Sequence, residues 1–164
     1  LMTVITLRNI WLLPASLLAA MILTLTPMPD WARFLRPDWI GLLAIFWSMV
    51  LPRTYSIGSA WLTGLLLDAL LSAPLGQNAL SLILVVYITA RMNEQLLSAT
   101  VLQQTLYVML LLLTRQFISL WINGMTGHLP ENLLVYFAPS LLSLLLWPWV
   151  YVLMRQLCRH YRLI

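Results

Sequence analysis

The 23 residues from Asn132 to Met154, NLLVYFAPSLLSLLLWPWVYVLM, contain no Asp, Glu, Lys or Arg, and about 20 apolar residues suffice for a helix to cross a bilayer. Three further charge-free gaps, Asn9 to Pro29, Ala69 to Ala90 and Gln95 to Thr114, repeat the pattern. The stretch from Asp38 to Asp68 is also apolar except for Arg53. Pro52-Arg53 divides it where a helix must break or surface, so two helices are read there. Ser72-Ala-Pro-Leu-Gly-Gln-Asn78 is a turn by composition, closing a third helix and opening a fourth. The chain therefore reads as an all-α integral membrane protein. It forms a single membrane domain over residues 1–164, a compact bundle of six transmembrane helices at about 9–27, 37–52, 55–72, 78–92, 100–123 and 131–155.

Composition agrees. Of 164 residues 62% are hydrophobic and 9% charged, with a mean hydropathy of +0.90, whereas soluble domains are roughly 25% charged. Cys158 is the single cysteine, which excludes an intramolecular disulfide and a cysteine-based zinc site. It is read as an inert thiol, or in a eukaryote as a palmitoylation site. All nine basic residues are arginine and the net charge is +4, with nothing in the pattern pointing to nucleic acid.

The arginines set the orientation. With six spans both termini share a side, and the tail with Arg155, Arg159 and Arg162 is cytoplasmic because basic loops stay inside. Arg8, Arg53 and Arg91 fall on that side too, while Arg33 and Arg36 lie outside, offset by Asp30 and Asp38. Residues 1–27 imitate a signal peptide, but the apolar run is long and ends in Thr-Pro-Met-Pro, so a retained first helix is expected. Trp11, Trp31, Trp39, Trp121, Trp147 and Trp149 lie near predicted helix ends, as an interfacial belt requires. Pro37-Asp38 and Pro130-Glu131 put a proline and an acid in the first turns of helices two and six, where both are tolerated.

The third helix holds the main site candidates. Ser56, Ala60, Gly64, Asp68 and Ser72 recur at i+4 and form one narrow face of small residues around a carboxylate. Such a face admits another backbone closely, and an intramembrane carboxylate faces the protein interior or a wet cavity. Arg115 is the other charge inside a span. It precedes Asn123 by eight residues as Asp68 precedes Gly76, which places both about 12 Å below their turns. Equal depth permits a buried Asp68–Arg115 pair. Alternatively, Arg115 snorkels to the interface and Asp68 hydrogen-bonds across a helix contact. In helix one, Ala15 with Ala19 and Ser16 with Ala20 show weaker small-residue spacing. No nucleophile–base pair, paired carboxylates, phosphate loop or His-x-x-His pattern occurs, so no enzyme, cofactor or metal site is expected. His128 is read as a solvated loop residue.

Phe34-Leu-Arg36-Pro37-Asp38-Trp39-Ile40, Leu51-Pro-Arg53, Gly64-Leu-Leu-Leu-Asp68 followed by Pro74-Leu-Gly76, and Leu146-Trp-Pro-Trp-Val150 before Met154-Arg155 resemble the bacterial rod shape-determining MreD family across the whole chain. The Arg-Pro-Asp-Trp entry and the Asp68 to Gly76 segment are its specific parts, and Leu1 before Met2 suits a bacterial alternative start. The resemblance implies a non-catalytic inner-membrane subunit of the elongation machinery that builds lateral peptidoglycan. Its implied partners are MreC, through a single span and periplasmic domain, and RodA, penicillin-binding protein 2, RodZ and MreB in a larger complex, with membrane lipid around it and a homodimer left open. The family is also similar in fold to the substrate-binding components of energy-coupling-factor transporters, which supplies the alternative of a vitamin-type binder. That alternative needs a polar cavity near the outer face, for which Gln77, Asn78 and Asn123 qualify.

Overall fold

An apolar segment with no polar face can be stable only when surrounded, and the helix Trp39–Val50 (α2) meets that condition: every residue from Ile40 to Met49 is buried. In this computed structural model, which describes residues 10–127 and 129–161 apart from the side chains of 33–35, α2 stands at the centre. Leu12–Leu25 (α1) precedes it, and Ile57–Leu71 (α3), Gln77–Arg91 (α4), the short Asn93–Ser98 (α5), Val101–Met125 (α6) and Leu133–His160 (α7) follow it; among the described residues the body is all-helical, with one 3₁₀ segment at Asp30–Leu35. Helices α1, α4, α5, α6 and α7 touch α2, whereas α3 packs against α4 and α1. Arg8, Arg162 and His128 lie outside the described residues, as do Leu1, Met2 and the side chains of Arg33 and Phe34.

Local sequence explains the helix limits. Pro14 occupies the first turn of α1, where a missing N–H is harmless. Thr100 and Gln103 form a reciprocal capping box at the start of α6. Asn132 accepts from Leu134 N at 3.0 Å and starts α7; Glu131 therefore precedes the cap instead of lying in the first turn. Asp38 likewise sits at the N-cap of α2, one position before the helix. The last helix extends to His160, beyond the expected 155, and α5 fills the stretch expected to be a loop.

Two helices, α6 and α7, are long and apolar enough to cross a membrane unaided. The 12-residue α2 rises only about 18 Å. It is short because its N-terminus is held within the protein. The large side chains around it form the core: Phe46 stands edge-on to Trp47 and Tyr151, with centroids at 5.4 and 6.0 Å. Trp47 Nε1 donates to Ser16 Oγ at 2.9 Å, joining α2 to α1. Trp147, expected in the interfacial belt, is instead fully buried in the middle of α7. Trp11, Trp31, Trp121 and Trp149 are exposed.

A candidate functional site where five helices meet

The polar centre of the protein begins with α3. Ala60, Gly64 and Asp68 are buried on one face, while Ser56 and Ser72, at the two ends of the same row, are exposed. The face receives α4. A Cβ added to Gly64 would overlap Ala79 Cα and lie 2.5 Å from Ala79 N, so only glycine lets the two backbones approach this closely. The small stripe is therefore an internal helix contact. After Leu71 the chain turns through Ser72 in the left-handed region, φ 53°, and through Gly76, φ 99°; Pro74 is exposed at the apex.

This turn brings the start of α4 onto Asp68. Gly76 N donates to Asp68 Oδ2 at 2.9 Å, and Asn78 donates to Oδ1 twice, from its backbone N at 3.0 Å and its side-chain Nδ2 at 2.8 Å. Asp68, fully buried, thus caps a helix that begins nine residues later. Asn78 Oδ1 in turn accepts from Arg115 at 2.9 Å. The other guanidinium nitrogen makes an ion pair with Asp38 Oδ2. Asp38 Oδ1 accepts from Gly41 N at 3.1 Å, and Asp38 N donates to Ser143 Oγ of α7 at 2.8 Å. Gly41 leaves room for this cap, since a Cβ there would lie 2.5 Å from Asp38 Oδ2 and 2.8 Å from Leu112 Cδ2.

Asp68 hydrogen-bonds to backbone groups across the α3–α4 contact, as the second arrangement expected, but Arg115 takes neither position expected for it. It does not pair with Asp68, because Asn78 stands between them, and it does not snorkel, because its guanidinium is buried near the middle of α6. Counting eight residues from Asp68 to Gly76 as helical rise misplaced Asp68, which hydrogen-bonds to Gly76 itself. The guanidinium meets Asp38 directly and Asp68 through the Asn78 amide, and each carboxylate also sits on a helix N-terminus carrying about half a positive charge. Those two N-termini and Arg115 together offset both negative charges. Arg115 Nε and, beside Asn78 in the chain, Gln77 Oε1 are buried without a hydrogen-bond partner.

Other expected residues fall as follows. Arg36 donates to Thr26 O at 2.6 Å, Pro37 is buried, and Trp39 packs on the edge of the core. Ala19 is exposed and Ala15 half-buried; Ser16 and Ala20 provide the α1 contact instead. Cys158 is buried, which leaves its thiol inaccessible to acylation. Sequence reasoning missed Asn78 and Ser143 as members of the cluster, although Asn78 opens a helix directly after the turn it was assigned to. Among the described residues, no three His, Cys, Asp or Glu side chains gather as a metal-ligand set. Chemically the cluster can hold helix ends: all three donors offered to Asp68 come from the turn and first residues of α4.

Comparison with known proteins identifies a family. The profile of the family described as rod shape-determining protein MreD matches residues 6–157. A rod shape-determining protein MreD of Haemophilus influenzae is 32% identical over 148 residues, 88% of each chain. No solved structure gives a significant match.

Proposed function

The chain belongs to the MreD family of rod shape-determining proteins, and from that premise we propose that it is a non-catalytic inner-membrane scaffold that binds MreC and helps organise lateral peptidoglycan synthesis. The observation that carries the reading is the match along residues 6–157, which attaches the family's role in rod shape to the whole helical body. Six transmembrane segments with both termini cytoplasmic form one membrane domain. Helices α1 to α4 cross with the help of flanking loop residues. Irregular backbone at membrane depth is tolerated where protein buries it, and the ends of α3 and α4 meet at the Asp68 carboxylate.

In this role, Asp38, Asp68, Asn78 and Arg115 fix the internal geometry, and the outward faces meet the partners. A transmembrane helix of MreC lies against the apolar exterior, its periplasmic domain stands over the short loops, and RodA, penicillin-binding protein 2, RodZ and MreB join the larger assembly. The vitamin-binder reading loses support because Asn78, one of the polar residues it would use, is committed to Asp68 and Arg115. Co-purification in mild detergent, followed by intact-complex mass measurement, tests the proposal. MreC should be recovered with the protein in cells whose rod shape depends on it. Full restoration of rod shape by a variant that recovers no MreC would overturn the scaffold reading.

A further inference from the structure

We propose that a cavity between the C-terminal end of α2, α5 and α7 holds an acyl chain of an anionic phospholipid whose headgroup phosphate is bound by Arg155. The inference rests on the membrane reading above. The cavity measures about 270 Å³ and is lined by Phe46, Val50, Leu97, Tyr151 and Arg155. Four of the five lining side chains are apolar or aromatic, and the fifth is a cation. Pockets for whole small molecules run from about 300 Å³ upward, so this space suits a chain segment whose polar head remains outside.

Arg155 is placed to receive that head. Its guanidinium carbon lies 5.9 Å from the centre of the Tyr151 ring, which orients the planar group, and the side chain is exposed. Among the described residues it has no carboxylate partner. Arg159 follows one turn later on the same helix face and is also exposed. The acid on α5, Glu94, is exposed in its first turn. A planar fork of donors matches a phosphate oxygen pair. The apolar floor gives a free phosphate ion nothing to bind, and a zwitterionic lipid brings a second charge that Arg155 and Arg159 repel. Anionic lipid satisfies both features, and basic residues at a membrane surface attract it.

The test uses full-length protein in mild detergent, with lipid retention read by intact-protein mass measurement against phosphatidylglycerol and phosphatidylcholine. Phosphatidylglycerol should be retained preferentially; Arg155→Gln should lower its retention about fivefold, and Arg155→Lys, which keeps the charge but loses the planar fork, should fall between the two. Leu97→Trp, which fills the cavity from an exposed position, should reduce retention of phosphatidylglycerol while Arg155 is intact. Equal retention of the two lipids, or unchanged phosphatidylglycerol retention in Arg155→Gln, overturns the proposal. Displacement by glycerol phosphate alone also overturns it, since the site would then read phosphate without a chain. A protein that fails to fractionate with membranes would instead defeat the reading on which the inference rests.

Discussion

Arg115→Gln removes a guanidinium that holds Asp38 directly and Asp68 through Asn78. The variant leaves the buried Asp68 and the half-buried Asp38 without their cation, held only by helix N-termini and, for Asp68, the Asn78 amide. Breaking one side of a buried pair typically costs about 3 to 5 kcal/mol, which consumes a large part of the roughly 5 to 15 kcal/mol that holds a domain together. Asp38→Asn keeps the cap acceptor for Gly41 N but strands Arg115, so its cost should be comparable. Losing both charges together should cost less than the sum, because neither partner is then an uncompensated ion. We expect a favourable coupling of about 2 kcal/mol or more between these two positions. Between Arg115→Gln and Asp68→Asn the coupling passes through one amide and should be near that of a single hydrogen bond, about 0.5 to 1.5 kcal/mol. Denaturation of the four proteins of each cycle in detergent, with membrane levels measured in parallel, reads both couplings. Additivity at positions 38 and 115, or a larger coupling at 68 and 115, would refute the arrangement.

Gly64→Ala should destabilise by about 1 to 3 kcal/mol through the overlap with Ala79. Gly58→Ala, whose Cβ meets only Ser56 Oγ at 3.9 Å, should be neutral or stabilise α3 by up to about 1 kcal/mol; equal thermal shifts for the two would remove the close α3–α4 approach. Ser16→Ala strips the acceptor from the buried Trp47 indole and should cost about 1 to 3 kcal/mol, read as a lower unfolding midpoint. For topology, in a Cys158→Ala background, cysteine at position 159 should react with an impermeant maleimide only after the inner membrane is opened. Cysteine at Thr126 should react beforehand, and reaction at 159 from outside would overturn the count of six spans.

The helices were legible to within a few residues because charge gaps, prolines and turn residues mark their ends directly. Helix α3 ends at Leu71, one residue before the expected 72, and α2 at Val50, two before the expected 52. Helix α5 was not legible: Asn93-Glu-Gln-Leu-Leu-Ser98 is short and mostly polar, and its helicity depends on Leu96 entering the core. Asp68 and Arg115 were also visible as the two charges inside expected spans, whereas Asp38 was read only as an acid at the start of helix two. Their pairing was not visible. Helical rise predicts depth only along one continuous helix, and the left-handed residues Ser72 and Gly76 turn the chain back between α3 and α4. Asp38 was correctly read as an acid at a helix start, but a cap uses one carboxylate oxygen and leaves the other free for Arg115.

Capping by carboxylates lets α2 and α4 be short. A helix of 12 to 15 residues that ends inside an apolar body exposes backbone donors no lipid can satisfy. Asp38 and Asp68 answer the donors of α2 and α4, and Arg115 answers the charge the two acids bring with them. Each element of the cluster is costly alone and acceptable only with the others. The two segments that carry the resemblance to MreD, Arg36 to Trp39 and Asp68 to Gly76, therefore meet in space through Asn78 and Arg115. A substitution in one segment transmits first to the helix ends held by the other. Through Ser143 and Arg115 it also reaches α7 and α6, the two long helices whose outer faces are open to a partner.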